Sequence, residues 1–97
     1  MKAIRIFYDK TVFPDGSIVE MTIWQLPRPT QERPHGLKYS LFYGGHGGRI
    51  VGYDNESGKG EHKHIREVET RYPWIDVETM VADFLADVER IRNEHAE

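Results

Sequence analysis

Two histidines stand two residues apart, His62 and His64, just after a lysine flanked by glycines, Gly58-Lys59-Gly60. In an extended segment both imidazoles point to one side and Lys63 to the other. Such a pair can run acid–base chemistry near neutral pH, one neutral ring taking a proton while a charged ring gives one. Cleavage of RNA through its own 2′-hydroxyl needs a pair of this kind and no metal. Two other readings stay open. His62 and His64 with Asp54 or Glu61 offer donors for a metal ion, although no further ligand stands at a familiar spacing. Two solvated histidines in a polar loop would need no function at all.

The flanking residues extend the first reading. Gly58 and Gly60 let the backbone approach a ligand closely, and exposed amides beside Lys59 suit a phosphate on which negative charge develops. The stretch is not a P-loop, because Gly60 and Glu61 follow Lys59 where that pattern needs Ser or Thr. Asp54 can orient an imidazole or hold an Asx turn with Asn55, for which turn formation is the plainer role. Tyr53 shares a face with Val51 and reads first as core. Lys63 and Arg66 are candidates to guide a sugar–phosphate backbone. His35 and His46 read as exposed turn residues, and His95 is assigned no role.

The elements that must position these groups follow from periodicity. Residues 3–12 alternate with period two, Ile4, Ile6 and Tyr8 against Arg5, Phe7 and Asp9, which predicts a strand. Pro14-Asp15-Gly16-Ser17 is a turn, and residues 18–26 form a second strand with Val19, Met21 and Ile23 on one face. The proline-rich stretch 27–36 is a polar connection. Leu37, Tyr39, Leu41 and Tyr43 line a third strand, the glycines around His46 make a turn, and residues 49–53 form a fourth strand. From Asp54 to His64 there is no apolar residue, so no buried regular structure is expected there. A short fifth strand near residues 71–74 is an option. Asp76 is placed as the N-cap of a helix whose stripe is Val77, Met80, Val81, Phe84, Leu85, Val88 and Ile91. The fold class is therefore α+β: an antiparallel sheet of four or five strands with one C-terminal helix packed on one face. The other face, with Thr22, Trp24, Lys38 and Phe42, is left less covered, open to a nucleic acid, a protein partner or a second copy in a homodimer.

The 97 residues fit one domain, with the sheet and the histidine loop in 1–75 and the helix in 76–95. The net charge of −3 is uneven: residues 76–97 carry seven acids against two bases, whereas residues 1–75 carry eleven bases against nine acids. A helical acidic run is most simply a solvated face, and the weakly basic remainder can receive an anion. The chain has no cysteine, which removes disulfides, thiolate metal sites and cysteine nucleophiles. No stretch approaches the ~20 apolar residues of a membrane span, and the charged start does not read as a signal peptide, so a cytoplasmic location is expected.

At this point the residues resemble a family. Asp15-Gly16, Glu20-Met21-Thr22-Ile23-Trp24, Lys38-Tyr39-Ser40-Leu41, Gly52-Tyr53-Asp54-Asn55-Glu56, Gly58-Lys59-Gly60 and His62-Lys63-His64 occur in the order seen in TumE-type toxins of bacterial and archaeal toxin–antitoxin modules. The Asp83-Phe84 to Val88 part of the helix is similar too, and the likeness runs from about residue 3 to about residue 92. The resemblance implies a small toxin partnered by a helix-turn-helix antitoxin, with RNA as a target such toxins act on. Tyr53, Asp54, Asn55, Lys59, His62 and His64 are the motif positions that carry over. On this combined reading His62, His64, Lys59 and Asp54 are catalytic candidates. Tyr53, Asn55, Gly58, Gly60, Lys63 and Arg66 are candidates for substrate binding, and no metal or other cofactor is assigned.

Overall fold

The computed structural model describes residues 2–94. Six strands, β1 (Ile4–Val12), β2 (Ile18–Gln25), β3 (Leu37–Gly45), β4 (Gly48–Asp54), β5 (His62–Ile65) and β6 (Val68–Arg71), precede one helix, α1 (Val77–Glu94). They form an open antiparallel meander in chain order, each strand paired with the next. The α+β class expected from the sequence holds, and the sheet has six strands rather than four or five. The extra hairpin, β5–β6, lies where apolar residues are lacking. Its ladder needs only backbone groups, and its polar side chains go to solvent or to charged partners. The short strand expected near 71–74 is not there: β6 lies three residues earlier, Val68–Arg71, and residues 72–74 lead into the helix without strand pairing. His95 lies outside the described residues.

Helix α1 covers one face of the sheet over β3 and β4. Asp76 Oδ1 accepts the Thr79 amide at 2.7 Å, the N-cap read from the sequence. Met80, Phe84, Val88 and Ile91 are buried against Val19, Met21, Ile23, Tyr39, Leu41, Tyr43, Val51 and Tyr53. Every strand residue in that set is odd-numbered, as period two requires. Tyr72 joins the core from the segment leading into the helix. Leu85, expected in the stripe, is exposed. The helix does not reach β1, which is exposed along its whole length.

Two bulges break the alternation. Between Arg5 and Phe7 the register slips, so that Arg5 opposes Trp24 while Phe7 opposes Ile23. Arg5 thereby joins Tyr8 and Lys10 on the uncovered face instead of alternating with them. A second slip at Ile50 leaves Tyr43 opposite Val51 and Gly44 opposite Arg49. Arg49, which alternation would send to the helix side with Val51 and Tyr53, is turned to the uncovered face. An extra residue in one strand re-aims what lies beyond it.

The connection between β2 and β3 is tied to the histidine segment. The Arg33 guanidinium donates to the Asn55 carbonyl at 2.9 Å. His35 is not an exposed turn residue: it stacks on Trp74 with ring centroids 4.2 Å apart, and its Nε2 meets the Glu61 carboxylate. Its Nδ1 accepts the Leu37 amide at 3.1 Å, so the Nε2 carries the proton.

Candidate active site

Strand pairing brings the chemistry together on the uncovered face. Gly52 lies opposite His64 and Asp54 opposite His62, so all four project from the same side of the sheet. His62 Nε2 is 2.8 Å from Asp54 Oδ1. Its Nδ1 faces the Gly60 carbonyl at 3.0 Å. Both ring nitrogens thus meet oxygen acceptors, a carboxylate on one side and a carbonyl on the other. His62 is itself 5% exposed.

The neighbouring ring is in the opposite situation. The His62 and His64 centroids are 5.2 Å apart with the rings nearly perpendicular. His64 Nε2 is 3.4 Å from Glu69 Oε2, and its Nδ1 is buried without a hydrogen-bond partner among the described residues. Burial pushes the His64 imidazole below its ordinary pKa, helped by the positive charges of Arg49 and His62 and opposed by Glu69 and Asp54. His64 therefore favours the neutral ring. His62 is thus held between two acceptors, while His64 keeps one ring nitrogen without a partner among the described residues.

Cations and clefts surround the pair. A Cβ on Gly52 would lie 2.6 Å from Arg49 Cδ, so the bare glycine is what lets the arginine lie over the strand beside His64. Lys59 Nζ is 3.8 Å from Glu69 Oε2. Lys59, Glu61, His62, Glu69, Thr70 and Arg71 line a cleft of 320 Å³ on one side of the pair. On the other side a groove of 340 Å³ is lined by Trp24, Lys38, Tyr39, Ser40, Asp54 and Glu56.

Of the sequence-derived candidates, Asp54, Lys59, His62 and His64 come together here. Gly58 and Gly60 shape the loop above them, both at positive φ (86° and 73°). The Gly58 amide, reserved in the sequence reading for a phosphate, donates to the Glu32 carboxylate at 3.0 Å. Four other candidates lie elsewhere. Tyr53 is core on the helix side, with its hydroxyl donating to Asp87; burial first, and that carboxylate second, hold its pKa up. Lys63 also faces the helix, 3.4 Å from Asp87, because it alternates with the two histidines. Asn55 is buried: its Oδ1 accepts the Tyr39 amide at 3.1 Å and its Nδ2 donates to the Leu37 carbonyl at 2.9 Å. It fastens the loop to β3. Arg66 occupies the β5–β6 turn at φ 55° and reaches Glu94 at 3.3 Å, away from the histidines. The sequence reading missed Arg49 and Glu69. The Ile50 bulge hid the first, and the unforeseen strand β6 hid the second.

Comparison with protein families matches residues 3–92 to the model described as Toxin TumE. The chain belongs to the TumE family. No curated protein and no solved structure matches it. TumE proteins are toxins of toxin–antitoxin modules, so this TumE toxin has an antitoxin as its partner. The match spans all six strands, both histidines and both bulges, and the helix to within its last two residues. No helix among the described residues is long and apolar enough to cross a membrane.

Proposed function

We propose that this TumE toxin is a ribonuclease that cleaves RNA through the substrate's own 2′-hydroxyl. The observation that carries it is the pairing of His62, held between two acceptors, with His64, whose ring stands 5.2 Å away between centroids. His64 takes the 2′-hydroxyl proton as O2′ attacks phosphorus. The bond from phosphorus to O5′ breaks, and O5′ takes the Nε2 proton of His62, replacing Asp54 as its partner. The products are a 2′,3′-cyclic phosphate and a 5′-hydroxyl. Arg49 and Lys59 offset the charge that builds on the phosphoryl oxygens. Asp54 holds the His62 ring and stabilises its charged form.

A second chemistry uses the same residues. Asp54, His62 and His64 each bring a donor atom, all within 4.8 Å of one another, a set that suits a transition metal. Ligation would have to break the 2.8 Å contact between His62 and Asp54, which the acid–base reading uses. The deciding experiment incubates purified toxin with total RNA, with and without EDTA, beside His62→Ala and His64→Ala. Cleavage that survives EDTA, leaves cyclic-phosphate ends and vanishes in both variants supports the proposal. Loss in EDTA with recovery on adding zinc or manganese assigns the metal chemistry instead, and two fully active variants dismiss the histidines.

The remaining assignments belong to the same proposal. The chain works as one domain in the cytoplasm, and its antitoxin is a helix-turn-helix protein. A homodimer belongs to the same proposal, and a monomer mass by light scattering at high concentration contradicts it.

A further inference from the structure

The uncovered face carries a line of cations well beyond the histidine pair. Arg5 and Lys10 on β1, Lys38 on β3, Arg49 on β4 and Arg71 on β6 all project from it. Among the described residues none of these five forms an ion pair. The cations on the helix side behave differently: Lys63, Arg66, Arg90 and Arg92 all pair with acids. Two of the open-face cations stand over aromatic rings, the Arg5 guanidinium 4.7 Å from the Tyr8 centroid and Lys38 Nζ 5.3 Å from that of Trp24. The Trp24–Lys38 pair lines the groove that ends at Asp54. Arg5 and Arg49 owe their place to a bulge, so each interruption of the sheet adds positive charge to the same face.

We propose that this face is a track for single-stranded RNA. It would run from the His62–His64 pair across β4, β3 and β2 to β1, a width of about 19 Å at the usual strand spacing. Trp24 and Tyr8 would stack unpaired bases, and Arg49, Lys38 and Arg5 would follow the phosphates. The inference rests on the ribonuclease reading for the position of the scissile bond. It adds the substrate class, RNA without secondary structure, and a binding surface remote from the reaction. The exposed Tyr8 ring and the half-buried Trp24 ring, each beside a cation without an ion pair, match a strand whose bases are unstacked, because a duplex offers only its backbone and grooves to such a surface.

The test uses His64→Ala as a non-cleaving host for binding and the unaltered histidines for cleavage. A labelled 12-nucleotide RNA and a duplex of the same length are titrated against host, host with Lys38→Glu, host with Trp24→Ala and host with Arg90→Ala. The single strand binds at least tenfold more tightly than the duplex. Lys38→Glu and Trp24→Ala each weaken it about tenfold, and Arg90→Ala, on the helix, leaves it unchanged. Lys38 is exposed, so its variant reports even where Trp24→Ala folds poorly. Variants that bind like the host, a duplex that binds as tightly as the strand, or variants that lose antitoxin but keep RNA overturn the track. Cleavage that persists beside such a result leaves the histidine mechanism standing. Tight, Lys38-dependent binding without any cleavage leaves the track standing and removes the mechanism.

Discussion

At the scale of single residues the division of labour rests on what each imidazole touches. His64→Ala should lower RNA cleavage by about 10²–10⁴-fold, the range for losing one general acid or base, with the thermal midpoint little changed. The pH profile carries a sharper statement. The groups facing His64 are Arg49, His62, Asp54 and Glu69, and burial together with Arg49 holds its pKa below the ordinary value. The neutral base then persists as the pH falls past about 6.5, and the acidic limb of the rate profile lies below that point. Replacing Arg49 with Gln removes one cause of the shift, so the limb should move up toward 6.5 while the rate at its plateau falls. A limb that stays in place dissociates His64 from the profile. The spacing of His62 and His64 was legible in the sequence, because an extended segment puts both on one side without knowledge of neighbours; that Asp54 and Lys59 meet them depends on the β4–β5 pairing and on the turn that carries Lys59. Arg49 was not legible, because its direction depends on one extra residue in the ladder.

At the scale of elements the bulges do the positioning that alternation cannot. Deleting Ile50 should restore strict alternation in β4 and leave Arg49 opposite Gly44 on the uncovered face, because it then directly precedes Val51, so cleavage should survive removal of the bulge. Gly52→Ala disturbs Arg49 instead. Its Cβ would sit 2.6 Å from Arg49 Cδ, so the flexible side chain must leave the sheet; cleavage should drop severalfold with an unchanged melting curve. Helix docking is a separate matter. Phe84 is fully buried between sheet and helix, and Phe84→Ala should cost about 3–5 kcal/mol in urea unfolding. The helix is also held through Asp87. Burial works to raise that carboxyl, but hydrogen bonds from Tyr53 and Arg90 and the charge of Lys63 prevail and keep it below the usual range. A depressed carboxyl stabilises the fold above its unfolded pKa of about 3.9 and loses that contribution as the pH falls through the lower folded value. Asp87→Asn should therefore flatten the loss of stability below pH 4 and leave the curve between pH 7 and 8 parallel to wild type. The helix, its cap and the first four strands were plain in the sequence, since each has an apolar period. The β5–β6 hairpin has none; its ladder is made of backbone groups that every residue carries.

At the scale of the whole molecule the net charge of −3 conceals two faces of different character. The acids are concentrated on the helix, where Asp83, Asp87 and Glu94 are engaged with Tyr72, Tyr53, Lys63, Arg66 and Arg90. Five cations without ion pairs among the described residues, Arg5, Lys10, Lys38, Arg49 and Arg71, stand on the opposite side. A mildly acidic protein of this kind should bind RNA with the salt dependence of a basic one. Contact of one phosphate with each of the five open-face cations gives a slope near −3.5 for the logarithm of affinity against that of salt, at roughly 0.7 per phosphate on a single strand. Affinity should then fall about 100-fold between 50 and 200 mM salt, and Lys38→Glu should make the slope shallower. An antitoxin that neutralises the toxin by covering this face would abolish RNA binding at every salt concentration. One seated on the acidic helix would leave both the affinity and the slope intact in the purified complex. Fluorescence titration of the complex across that salt range separates the two arrangements, and a slope near zero for the free toxin shows that phosphate contacts do not hold the substrate.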